Sequence, residues 1–150
     1  MGEQREISEH QRRVLGTYTL MMRAVGRLTT KMHEHLAGAK LTLSQFGVLE
    51  ALYHLGPLCQ RDIGKKILKT SGNMTMVIDN LVKRDLVVRQ KDPKDRRLMV
   101  VRLKKSGFGL IDEIFPRHAR VAETLFSVLS PGELEQLSKL LKKIGKGQSC

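Results

Sequence analysis

A chain of 150 residues, 41% of them hydrophobic, is long enough to bury a core and too apolar to be a disordered tail. Aromatics make up only 4% and tryptophan is absent, so the core must be built from Leu, Val, Ile and Met, which suits helices better than a β-sandwich. The net charge of +12 is uneven: residues 1–40 carry +3, residues 41–105 carry +8 and residues 106–150 carry +1, so the basic excess sits mid-chain.

The first segment has its own period. Val14, Tyr18, Met21, Val25, Leu28 and Met32 alternate spacings of four and three, a heptad seam that Leu15, Met22 and Leu36 widen. A long helix with such a stripe wants a partner helix, within the chain or across a dimer. After Ala37-Gly38-Ala39-Lys40, Thr42 and Gln45 form a capping box ahead of Phe46, Leu49, Leu52 and Tyr53, and this short helix ends at Gly56-Pro57. Cys59 then occupies an N-cap position before a helix Gln60–Leu68 whose buried side is Ile63, Ile67 and Leu68. Thr70-Ser71-Gly72-Asn73 is a turn and cap cluster. Met74, Val77, Ile78 and Leu81 follow at i, i+3, i+4 and i+7, so a third helix runs to about Arg84.

The period then changes to that of strands. Residues 86–91 and 98–103 are β-rich runs, and the turn-forming Asp92-Pro93-Lys94-Asp95-Arg96-Arg97 joins them as a hairpin with a basic tip. Ser106 is the expected cap of a long helix carrying Leu110, Ile111, Ile114, Phe115, Val121 and Leu125, which Pro116 should kink. Ser130-Pro131-Gly132-Glu133 is a second capping box, opening a last helix with Leu134, Leu137, Leu140, Leu141 and Ile144 on one stripe. The tail from Gly145 to Cys150 is expected to be loose.

Two short helices, a tight turn and a basic hairpin have a direct physical use. The second helix of such a pair fits the major groove of DNA while the first crosses the backbone. With Met74, Val77, Ile78 and Leu81 turned inward, Ser71, Asn73, Thr75, Met76, Asp79 and Asn80 remain on the groove side, and Lys83 adds charge at the helix end. Helix capping explains Ser71 and Asn73 as well as base contact does. At the hairpin tip Lys94, Arg96 and Arg97 stand within reach of the minor groove, and Asp95 is placed to hold one guanidinium. An exposed charged turn alone is common; with the helix pair upstream it reads as a wing.

At these residues the chain resembles the MarR family of regulators. The resemblance lies in Leu43-Ser44-Gln45-Phe46-Gly47-Val48-Leu49, in Ser71-Gly72-Asn73-Met74-Thr75 through Asn80-Leu81, and in the hairpin with Asp95 and Arg97, and it spans roughly residues 10–145. It implies a mainly α fold with a small β-hairpin wing: a winged helix-turn-helix in 41–105, an N-terminal dimerisation helix in 1–40, and C-terminal dimerisation helices with a tail in 106–150, all in one compact chain. It also implies a homodimer on a pseudo-palindromic operator, usually as a repressor, with Val14, Tyr18, Met21, Leu134, Leu137 and Leu141 on the dimer face. Ser71-Gly72-Asn73 and Gly56-Pro57-Leu58-Cys59-Gln60 are similar to a subgroup responding to quinones and hydroquinones. Two positions depart from the family pattern: Asp85 stands where a glycine follows the recognition helix, and Lys104 stands where a threonine follows the second wing strand.

The signal is less legible. Cys59 at a helix start suits a thiol switch, but with no resolving cysteine nearby the plain cap is the preferred reading. Among the five histidines, His33 and His35 do not share a helical face, and Ala122 follows four after His118, so a metal site is not expected. No cofactor is expected; a small aromatic effector, phenolic or quinone, bound between the first, second and fifth helices is the remaining input. No nucleotide loop, HExxH or GxSxG occurs, which argues against an enzyme. A nonspecific architectural nucleic-acid binder could share the charge, but would not need seam, helix pair and wing in this order. Two cysteines are too few for a disulfide scaffold, and the polar start Met1-Gly2-Glu3 and the absence of any membrane-length apolar run point to the cytoplasm.

Overall fold

Phe46, Val48, Leu49 and Leu52 place the centre of the core on one short helix, and the other elements are arranged around it. The computed structural model describes residues 6–67 and 71–146, with Ser71 and Gly72 described by their backbone alone. Leu68, Thr70 and Cys150, which figure in the sequence reading, lie outside the described residues. In chain order the elements are α1 (Glu9–Glu34), a 3-10 turn (Ala37–Ala39), α2 (Leu43–Leu55), β1 (Leu58–Cys59), α3 (Gln60–Ile67), α4 (Ser71–Lys83), β2 (Val87–Lys91), β3 (Met99–Leu103), α5 (Lys105–Phe126) and α6 (Pro131–Lys146).

Both expected capping boxes form. Thr42 Oγ accepts the Gln45 N–H at 3.1 Å while the Gln45 side chain accepts the Thr42 N–H at 3.1 Å, and Ser130 and Glu133 do the same for α6. A third box, Ser8 with Gln11, starts α1 five residues before the seam begins. α5 does not start as expected: its N-cap is Lys104, without a side-chain cap; Pro116 lies inside the helix, as the sequence places it. Ser106 instead donates its hydroxyl to the Asp85 carbonyl, because the chain leaves β3 pressed against the end of α4.

The hairpin pairs Val87 with Leu103, Arg89 with Val101 and Lys91 with Met99. A strand not foreseen, β1, adds Leu58 opposite Val101 and Cys59 opposite Val100, so the sheet order is β1-β3-β2 and Cys59 is a strand residue directly before α3. Among the described residues the buried hydrophobic side chains fall between Leu36 and Ile111, with Ile63, Met74, Ile78, Leu81, Val87, Val101 and Leu103 packed around α2. Each such side chain contributes about 1.5–3 kcal/mol by leaving water. Neither α1 nor α6 buries a single residue. Val14, Leu15, Tyr18 and Leu20 on α1 are 52–66% exposed, and Leu134, Leu141 and Ile144 on α6 are 41–63% exposed.

Candidate nucleic-acid interface

The inward stripe of α4 is as the period predicts. Met74, Ile78 and Leu81 are fully buried and Val77 half-buried, which turns Asn73, Met76 and Asn80 outward, with Met76 61% exposed. Asn73, Met76 and Asn80 share a hollow of about 250 Å³ with Thr42, Ser44 and Gln45 from the start of α2. Lys83 is exposed in the last turn of the helix. The Ser71 side chain lies outside the described residues.

Two outward residues have structural partners that the periodicity does not reveal. The Thr75 hydroxyl accepts a hydrogen bond from Gln60 Nε2 of α3 at 2.7 Å, tying the two helices of the pair. Asp79 holds Arg89 of β2 through a 2.6 Å contact to Nη1, while Arg89 Nη2 reaches the Thr75 carbonyl at 3.5 Å. The wing is therefore fastened to the flank of α4 near its middle. A partner 10 residues away on another element leaves no periodic trace in the sequence.

The wing tip carries the arrangement expected of it. Asp95 Oδ1 accepts from the Arg97 backbone N–H at 3.1 Å and from Arg97 Nε at 3.1 Å, and Oδ2 accepts from Nη2 at 3.3 Å. Those hydrogen bonds hold the Asp95 carboxyl below its usual range. The Arg97 side chain is 90% exposed even so. Asp92 closes the turn by accepting the Lys94 N–H at 2.7 Å, and Lys94 and Arg96 point to solvent beside Arg97. A fixed guanidinium projected into solvent can enter a narrow groove with little ordering left to do.

A second cluster lies where α1, α2 and α5 meet. His118 Nδ1 of α5 is 3.0 Å from Nε2 of His35, the residue that ends α1, and the His118 ring lies 4.1 Å from that of Phe46 on α2. Burial and the neighbouring His35 push His118 down from 6.5 to about 4, and burial with the Arg117 charge lowers His35. Glu50, half-buried on α2, is raised by burial. On the other side of α2, Tyr53 donates to Asp112 of α5 at 2.8 Å. The two histidines are 83 residues apart, so testing local spacings could not pair them. Beside them, α1 and α5 flank an open cavity of about 450 Å³, with Lys31, His35, Arg117, Arg120 and Val121 in its wall. The described lining of this cavity comes from α1 with His35 and from α5, and Phe46 of α2 lies behind His118. Among the described residues no three His, Cys, Asp or Glu side chains converge on a metal-sized site.

Comparison with known proteins settles what this frame belongs to. The MarR family model matches residues 41–99. The HTH-type transcriptional regulator MhqR of Bacillus subtilis is 37% identical over 131 residues, covering 87% of this chain and 90% of that one. The chain belongs to the MarR family. Among solved MarR-like structures, BpsR of Bordetella bronchiseptica, whose DNA binding is regulated by 6-hydroxynicotinic acid, is 30% identical with a TM-score of 0.78, covering 87% of this chain and 98% of that one. MepR of S. aureus, solved with DNA, is 26% identical with a TM-score of 0.76 over 94% and 98% of the two chains. This MarR-family protein is thus a DNA-binding transcription regulator of winged-helix fold, and the nonspecific architectural alternative is not favoured. No described helix is long and apolar enough to cross a membrane.

Proposed function

We propose that the protein is a homodimeric, ligand-responsive repressor in the cytoplasm that reads a pseudo-palindromic operator and acts by binding rather than by catalysis. The observation that carries this reading is the wing tip: Arg97 is oriented by Asp95 and otherwise left exposed, beside a recognition helix whose outward face offers Asn73, Met76 and Asn80. Lys83, Lys94 and Arg96 supply phosphate contacts around it, and the N-terminal turn of α4 with Ser71 approaches the base edges. The apolar faces of α1 and α6, with Val14, Tyr18, Met21, Leu134, Leu137 and Leu141, are covered by a second copy, as is an apolar hollow of about 460 Å³ between α1, α5 and α6.

For the effector, the α1–α5 cavity suits a small aromatic molecule of the phenol, quinone or phenolic-acid kind. On its α1 side Lys31 is paired with Glu34 at 3.3 Å, and on its α5 side Arg117 and Arg120 add positive charge, which favours a ligand bearing negative charge. The regulation of BpsR by an aromatic acid supports the reading by analogy. Cys59, half-buried in β1, is assigned a packing role.

Footprinting on the DNA upstream of the protein's own reading frame tests the function. A discrete footprint with two-fold symmetry, released by an aromatic ligand, is the expected result. Uniform coating that fades smoothly with salt would overturn it.

A further inference from the structure

The recognition helix ends in a junction that ties it to the linker between α1 and α2 and to the start of α5. Asp85 takes a left-handed backbone (φ 61°), with its N–H on the Val82 carbonyl at 2.9 Å and the Leu86 N–H on the Leu81 carbonyl at 3.0 Å. The linker between α1 and α2 ends in the same way: Lys40 is left-handed (φ 53°) and the Leu41 N–H reaches the Leu36 carbonyl at 3.2 Å. Arg84 joins the two turns, Nη1 donating to the Lys40 carbonyl at 2.7 Å and Nη2 to the Ala39 carbonyl at 3.0 Å.

The start of α5 locks onto the same place. The Lys104 N–H donates to the Leu86 carbonyl at 3.0 Å, Ser106 Oγ donates to the Asp85 carbonyl, and the Lys104 ammonium pairs with the Asp85 carboxylate. Asp85 and Lys104, the two departures noted from the family pattern, are thus one contact. That ion pair is exposed and contributes little to stability by itself. The hard limit is Gly107: a Cβ there would lie 2.2 Å from the Leu86 carbonyl oxygen. Drawing α5 away from α4 breaks three hydrogen bonds or ion pairs, and pressing it closer meets backbone. The joint is bounded in both directions.

We propose that Arg84 and the Asp85–Leu86 turn, together with Lys104, Ser106 and Gly107, are positioning residues that fix the recognition helix relative to the linker leaving α1 and to α5, and so set the half-site spacing the protein accepts. This rests on the two-fold reading above. The alternative role for Arg84, a phosphate contact, is poorly served by two guanidinium nitrogens already engaged by carbonyls. A recognition helix fixed at its far end follows its dimer-side supports as a lever, whereas one held only by core packing would tolerate neighbouring spacings.

The test uses the full-length protein and operators selected from a random duplex library, rebuilt with the half-sites one or two base pairs closer or farther apart. The wild type should bind its best spacing ~10-fold or more tighter than a spacing one base pair away, because wrong geometry removes simultaneous docking. Arg84→Lys keeps the charge and loses the fork, and Ser106→Ala removes the hydroxyl bond. In both, that ratio should fall below ~3-fold while binding to an isolated half-site stays unchanged. Gly107→Ala should move the optimum to another spacing; where circular dichroism shows it unfolded, the other two variants decide. Variants that keep the wild-type spacing profile, even with uniformly weaker binding, would overturn the proposal, and a uniform loss in Arg84→Lys would mark a phosphate contact instead. A wild type without any spacing preference would remove the two-fold reading itself, and this inference with it.

Discussion

At the wing tip both carboxylate oxygens of Asp95 are engaged by Arg97, and the guanidinium remains 90% exposed. Removing the guanidinium and loosening it are therefore separable experiments. Arg97→Ala should weaken operator binding by more than ~10-fold with dimerisation intact, since a buried minor-groove arginine carries a few kcal/mol of contact. Asp95→Asn should give a smaller loss, as the asparagine still accepts from the Arg97 N–H but no longer pairs with its charge. Equal affinity for wild type and Arg97→Ala in gel-shift titrations would remove the wing from the interface. His118 makes a different prediction, of stability against pH. Its folded value is near 4 against 6.5 when free, so between those limits the unfolded chain binds more protons and stability falls as pH falls. The groups facing it are His35 at the end of α1 and the Phe46 ring on α2, with Arg117 acting on His35; burial and the neighbouring His35 are what disfavour the protonated form. The melting temperature should therefore drop between pH 6.5 and 4, and His118→Gln should flatten that slope. A slope that the substitution leaves unaltered would mean another group controls it.

Among the elements, those whose signal is local were the ones the sequence could place. The Thr42–Gln45 and Ser130–Glu133 boxes need only residues three apart, and both are present as read. Thr42→Ala should cost about 1 kcal/mol in chemical denaturation, because an orphan N–H at the start of α2 loses its acceptor. An unchanged denaturation midpoint would mean that the core holds that turn without the cap. Elements held by distant partners were not legible. β1 is two residues long and exists because Val100 and Val101 lie opposite it, more than 40 positions away. The start of α5 was misplaced at Ser106 for the same reason: its hydroxyl looks like a cap in the sequence, yet tertiary packing sets it on the Asp85 carbonyl. Asp79 reads as a groove residue by period and is occupied by Arg89 from the sheet. Outward placement was thus legible where one helix face or one tight turn defines it, as at Asn73, Met76 and Arg97. Pairing was illegible where two elements meet, as at His35 and His118.

At the scale of the whole molecule, the buried hydrophobic residues among those described are confined to Leu36–Ile111, and the long terminal helices leave much of their stripes exposed, with Met21, Leu28, Met32 and Leu137 only half-buried. An amphipathic helix of 26 residues without one buried side chain is poorly accounted for by its own chain, since most helical stability comes from packing an apolar face. A second copy supplies that packing if the Val14–Tyr18–Met21 face meets α6 of its partner. Glutamates at two of these positions, Tyr18→Glu with Leu141→Glu, place charge in the proposed contact without touching the core or the wing. Sedimentation should show the variant as a monomer, and its far-ultraviolet circular dichroism should retain the signal of α2 to α5. Operator affinity should fall by ~10²-fold or more, because a lone recognition helix loses the effective concentration its twin provides. Weak, salt-sensitive binding to random duplex should survive, because the +8 carried by residues 41–105 is untouched. A monomeric variant that holds the operator as tightly as the wild type would show that one copy suffices, and the exposed stripes of α1 and α6 would then require a different partner.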